Sequence, residues 1–111
     1  AILASPAYQQ DGVLIITFDE SDGPQADATS CCGEVGNLNS LLPGLTGTGG
    51  GRVGALVLSR YVAPGSTSTT PYNHYSLLRS LEDILGAQGH IGYAGAAGVT
   101  SFGPDVFNAA G

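Results

Sequence analysis

Apolar positions cluster into two short runs and one periodic stretch. Gly12 to Phe18, GVLIITF, is β-branched and does not alternate, so it predicts a strand buried on both faces. Arg52 to Ser59, RVGALVLS, predicts a second strand of the same kind. From His74 to Leu85 the pattern changes to a helical period. Leu77, Leu78, Leu81, Ile84 and Leu85 gather on one face, while Arg79, Glu82 and Asp83 take the other. Asn73 is the expected N-cap and Gly86 the expected C′ stop. Arg79 and Asp83 are spaced as an i,i+4 ion pair.

The segments between these runs lack a period. Ala1-Ile2-Leu3-Ala4 reads as the last turn of a helix that begins earlier, stopped by Ser5-Pro6 because a residue preceding proline leaves the α region. Glu20 to Gly51 is a long loop punctuated by Asp22-Gly23-Pro24, Cys31-Cys32-Gly33, Pro43-Gly44 and Gly49-Gly50-Gly51. Loops of that length are commonly functional, so it is read either as a lid over a site at its root or as a disordered surface insertion. Arg60 to Asn73 is turn-rich. Ala87 to Gly111 is Gly- and Ala-rich, with Phe102 and Phe107 expected to dock on the core.

The order of elements predicts an α/β fold. Two strands and one amphipathic helix cannot cover both faces of a sheet, and each strand run is apolar on both sides. The chain, residues 1–111, is therefore expected to be a single segment of a larger domain or to associate.

Composition narrows the function classes. The chain has 111 residues, only 11% of them charged, and a net charge of −6. Three basic residues cannot form a patch that follows phosphates, which argues against nucleic acid and anionic membrane as partners. No apolar run is long enough to cross a bilayer. Low charge with abundant Gly, Ser, Thr and Asn suits a secreted or periplasmic protein. The only two cysteines, Cys31 and Cys32, are adjacent. Their Cα atoms stand about 3.8 Å apart, shorter than an ordinary bridge prefers. A strained vicinal disulfide, free thiols, and a bridge to another segment all remain open.

The chemistry concentrates where the first strand ends. Asp19 and Glu20 leave a buried strand at its carboxyl end, where α/β sheets bind ligands. Adjacent acids there need a positive partner, and a divalent metal is the simplest. The alternative is that both open a solvated loop. Neighbouring strand residues point to opposite faces, so both reach one ion only if the backbone turns after Phe18. His74 opens the helix, a position that suits neutral imidazole, the metal-binding form; a capping or surface role is the alternative. His90 lies between glycines and reads as a loop residue. The chain has neither a Gly-x-Ser-x-Gly elbow nor a phosphate-binding glycine loop before a helix.

Several stretches together resemble a known family. Asp11 to Asp22, DGVLIITFDESD, looks like the metal-bearing strand of the bacterial phosphoesterase family. That family includes acid phosphatases, phosphatidylinositol-3-phosphatase-like proteins and phospholipase C enzymes, and is similar to the alkaline phosphatase superfamily. Cys31 to Glu34, Gly49 to Gly86, His90 to Ala94 and Phe102 to Phe107 follow in the same order. The resemblance implies a partial alkaline-phosphatase-like sandwich, of which this chain is the C-terminal part only.

It further implies that Asp19, Glu20 and His74 are metal ligands acting on a phosphate-ester substrate. Such a set admits Ca²⁺, Mg²⁺, Mn²⁺ or Zn²⁺, because oxygen donors with one nitrogen discriminate poorly. The family's nucleophile and early Glu-Asn metal motif lie in its N-terminal half and have no counterpart here. The chain alone is thus expected to be inactive, with the missing half or self-association completing the picture. The alternative function is a structural, self-associating module forming an oligomer or filament without catalysis.

Overall fold

The computed structural model of the chain describes residues 1–34 and 49–111. The described residues form a small mixed α/β structure with two helices and a two-stranded antiparallel sheet. The elements are α1 (Pro6–Asp11), β1 (Val13–Thr17), β2 (Ala55–Ser59) and α2 (His74–Ile84), with 3₁₀ turns at Ile2–Ala4 and Gly92–Gly95.

Ser5 ends the Ile2–Ala4 turn as expected, and the first difference is that Ser5-Pro6 also starts a helix. Ser5 is extended, and its hydroxyl accepts from the Tyr8 amide as an N-cap. Pro6 occupies the first helical position, where a missing N–H costs nothing. The helix is brief because Gly12 follows in an extended conformation. A Cβ on Gly12 would stand 2.5 Å from Tyr8 Cα, so glycine is needed for the chain to turn closely into β1.

β1 and β2 pair antiparallel, from Val13 opposite Ser59 to Thr17 opposite Ala55. Both are shorter than expected, and they are not buried on both faces. No residue of either strand is fully buried. Ile16 and Leu56 lie directly opposite each other and are 53% and 52% exposed. The apolar runs do form strands, but no layer among the described residues covers them.

α2 follows its sequence signals at both ends. The Asn73 side chain accepts from the Ser76 amide, the Ser76 hydroxyl accepts from the Asn73 amide, and Gly86 adopts a positive φ of 70°. Its burial is reversed. Ser76, Ser80 and Glu82 are buried, whereas Leu78, Leu81, Ile84 and Leu85 are exposed, Leu85 to 82%.

The cause lies in the tail. Residues 87–111 have little regular structure, so their backbone groups need partners, and the polar face of α2 supplies them. Arg79 donates to the Ala94 carbonyl, Glu82 accepts from the Ile91 amide, and the Ser80 hydroxyl accepts from the Phe102 amide. The expected Arg79–Asp83 pair gives way to this arrangement. Asp83 instead pairs with His90 at 2.7 Å, the sole salt bridge among the described residues. Phe102 packs against Tyr72 with ring centroids 4.9 Å apart, and Tyr75 against Tyr93 at 5.1 Å. Among the described residues, the buried hydrophobic side chains are Ala94 and Val99.

Candidate functional site

The site begins where β1 ends. The Thr17 hydroxyl donates to the Gly54 carbonyl at 3.0 Å, tying the strand exit to the entry of β2. Phe18, Asp19 and Glu20 then emerge exposed. Asp19 Oδ1 accepts from the Glu20 amide at 3.1 Å, so the backbone has already turned. The Ser21 amide donates to the Gly50 carbonyl at 2.8 Å, and the Ser21 hydroxyl to the Asp27 carbonyl at 2.8 Å. Gly51, at φ 79°, passes so close that a Cβ there would stand 2.5 Å from Ser21 Oγ and 2.6 Å from the Asp27 carbonyl oxygen.

Asp27 locks the outer part of this root. Its carboxylate accepts from the Arg52 amide and from the amide and hydroxyl of Thr29. The Arg52 amide first, then Thr29, holds its carboxyl below the usual range. The loop root is thus ordered by hydrogen bonds on both arms. The remaining part of the expected lid, including Pro43-Gly44, lies outside the described residues.

An open groove of about 480 Å³ adjoins the strand exit, lined by Phe18, Glu20, Ser21, Asp22, Arg52, Val53 and Gly54. Glu20 faces it alongside Asp22 and the guanidinium-bearing Arg52. Arg52 had no assigned role in the sequence, where it appeared only as the start of a strand run.

His74 arrives from the other side. As the first residue of α2 it is fixed by the Asn73 cap, and its Nε2 lies 2.8 Å from the main-chain oxygen of Asp19. A carbonyl only accepts, so Nε2 carries the hydrogen, and in the neutral ring Nδ1 keeps its lone pair. The fold thus brings Asp19 and His74 together through the Asp19 backbone, with Glu20 on the adjoining groove. Among the described residues no three His, Cys, Asp or Glu side chains converge as a ready-made metal cage.

The sequence model of the Phosphoesterase family matches residues 1–88. The chain belongs to the Phosphoesterase family. No curated protein and no solved structure shows significant similarity to it. In this phosphoesterase-family chain Asp19, Glu20 and His74 all fall inside the matched span. His90, Ser101 and Asp105 fall outside it.

Within the matched span, a second feature abuts the helix start. Cys31 and Cys32 form a vicinal disulfide with Cα atoms 3.8 Å apart. Cys31 Sγ lies 3.5 Å from the Tyr72 carbonyl oxygen and Cys32 Sγ lies 3.2 Å from that of Pro71. Glu34 Oε1 accepts from Asn73 Nδ2 at 2.9 Å. None of these contacts had a signal in spacing, since they join residues about forty positions apart.

Two carboxylates clasp the tail, Asp83 inside the matched span and Asp105 beyond it. Asp105 accepts from the Ser68 hydroxyl and from the Tyr72 hydroxyl, the latter at 2.8 Å, and its pKa falls to about 2, Ser68 being the larger cause. Burial, then the Asp105 bond, raises the Tyr72 phenol. Asp83 accepts from Ser101 and His90, which hold it below the ordinary range. The carboxylate stands between the hydroxyl and the imidazole, so His90 serves this clasp and does not activate Ser101.

Proposed function

We propose that this chain supplies the metal-binding edge of a centre that hydrolyses phosphate esters, with Asp19, Glu20 and His74 as the ligands. Phosphate-ester hydrolysis is the chemistry to which family membership points at a coarse level. The observation that carries the finer reading is the approach of His74 to Asp19 across 55 positions of sequence. The donor set, two exposed carboxylates and an imidazole whose Nδ1 keeps a lone pair in the neutral ring, suits Ca²⁺, Mg²⁺, Mn²⁺ or Zn²⁺. A divalent ion held there supplies neutralisation of the charge on phosphoryl oxygens. Arg52, on the Glu20 groove, offers a fixed positive charge to the same oxygens.

The nucleophile comes from outside this chain, and the whole assembly has an alkaline-phosphatase-like sandwich acting outside the cytoplasm, on substrates of the acid-phosphatase, phosphoinositide-phosphatase or phospholipase C type. Calorimetric titration with Mn²⁺ tests the ligands. The wild-type chain binds one ion and Glu20→Gln binds it more weakly; equal affinities remove Glu20 from the site. An aryl phosphate with added Mn²⁺ is not turned over by the chain alone. Turnover abolished by Asp19→Asn would mean that the nucleophile is present.

A second reading rests on the exposed Ile16–Leu56 pair and the outward leucines of α2. Apolar surface of that kind favours association, and the chain then acts as a self-associating module without catalysis. Light scattering distinguishes the two: a monomer at all concentrations, melting cooperatively, removes this second reading.

A further inference from the structure

We propose that the Cys31–Cys32 disulfide is a redox latch on the N-terminus of α2, which sets where His74 stands relative to Asp19. The inference concerns position only and holds whether or not a metal binds.

The turn Cys31-Cys32-Gly33-Glu34 is closed by the Glu34 amide donating to the Cys31 carbonyl at 3.1 Å. It lies against Pro71, Tyr72 and Asn73, the three residues before His74. Glu34 holds one end of the Asn73 amide, and the other end caps α2 through the Ser76 amide at 2.9 Å. Moving the turn therefore moves the cap, and the next residue is His74.

Two things about the turn depend on oxidation state. Cys32 has φ 64°, the one positive value at a non-glycine residue among the described residues. Ring closure between neighbouring cysteines holds it in that sparsely populated region, and opening the ring releases it. In addition, disulfide sulfurs have no hydrogen to donate, so the approaches to the Pro71 and Tyr72 carbonyls are bare S···O contacts. After reduction each thiol becomes a weak donor to the same carbonyls. The two states thus differ at both sulfurs and in the turn carrying Glu34.

The bond is poorly suited to a purely stabilising role. It joins residues one apart, so it closes no long loop in the unfolded chain and brings almost none of the usual entropic stabilisation. Both cysteines are partly exposed, within reach of a reductant. The reductant is a dithiol. One of its thiolates attacks a protein sulfur, the Cys31–Cys32 bond breaks, and the second thiol resolves the mixed disulfide. The protein gains two electrons and two protons, and the dithiol loses them as its own S–S bond forms.

The test is NMR on the intact chain at fixed pH, before and after reduction by a phosphine, with free thiols counted by mass after alkylation. Reduction is expected to shift the Asn73 side-chain amide and His74 ring signals, and to speed amide exchange at Ser76 by about five-fold or more as the cap loosens. Signals of β1 and β2 and the thermal midpoint stay nearly unchanged. A Cys31→Ser/Cys32→Ser variant reproduces the reduced spectrum and ignores reductant. Glu34→Ala keeps the disulfide, but its Asn73 amide no longer responds. Two results overturn the proposal: free thiols with Asn73, Ser76 and His74 unmoved, or both thiols already free in protein purified without reductant.

Discussion

His74 Nε2 lies 2.8 Å from the main-chain oxygen of Asp19, and this one contact joins the end of β1 to the start of α2. It assigns the two ring nitrogens different duties: Nε2 donates to the carbonyl, and in the neutral ring Nδ1 keeps a lone pair.

That division separates fold from ligation. In His74→Gln, an amide N–H takes over the bond to Asp19 while the imidazole lone pair is lost. The thermal midpoint is expected to stay close to wild type, while Mn²⁺ affinity measured by calorimetry falls about tenfold or more. An unchanged affinity takes His74 out of the site.

The reversed burial of α2 inverts the usual ranking of mutations. Ser80, 3% exposed, donates to the Ser76 carbonyl at 2.7 Å and accepts from the Phe102 amide at 2.7 Å. Ser80→Ala strands that amide and should cost about 1–2 kcal/mol. Leu85→Ala, at a side chain 82% exposed, should cost under about 0.5 kcal/mol. Denaturant titration of the two variants side by side checks the order.

Two glycines with nearly the same backbone angle should respond differently to alanine. Gly51, at φ 79°, has Ser21 and Asp27 where a Cβ would go, whereas Gly65, at φ 75°, faces open space. Gly65→Ala pays only the left-handed conformation, about 1 kcal/mol. Gly51→Ala also displaces the loop root and should cost more than about 2 kcal/mol. Thermal melts of both variants, with Phe18–Glu20 amide shifts as a local readout, test the difference.

Asp105 gives the acid limb of stability. Its folded pKa of about 2 lies below the ordinary aspartate value of 3.8. A depressed carboxyl stabilises fully above its unfolded pKa, and that contribution disappears as pH falls from about 4 toward 2. The group is in contact with solvent, so its share is on the order of 1 kcal/mol or less after screening. Asp105→Asn should therefore flatten the decline in melting temperature between pH 4 and pH 2. Its deficit against wild type should be largest near neutral pH.

Local signals in the sequence were reliable, and long-range ones were not. Asn73 and Gly86 mark both ends of α2 because capping chemistry acts within a few residues. The two apolar runs became strands, although shorter ones. Ser5-Pro6 ends the Ile2–Ala4 turn as expected, but the same pair also caps and opens α1, which no period in so short a helix announced. Periodicity located the apolar face of α2 but not what it would meet: the irregular tail engaged the polar face first, through backbone groups that leave no hydropathy pattern. In the candidate site Asp19, Glu20 and His74 were visible from residue type and motif. Arg52, Glu34 and the Asp83 and Asp105 clasps were not, since no local motif marks the partners they meet.

The antiparallel pairing of β1 with β2 also has consequences for how the molecule assembles. Thr17 and Gly54, which meet at the sheet's open end, are 37 positions apart, and His74 and Asp19 are 55 apart. Bringing such distant segments together costs chain-closure entropy before any contact repays it. The vicinal disulfide does not shorten that path. α2 and its tail, by contrast, join residues 9 to 22 positions apart. The helix and tail should therefore form early and the sheet late, so the meeting of Asp19 with His74 is among the last events of folding, and the two apolar strands stay unpaired until then.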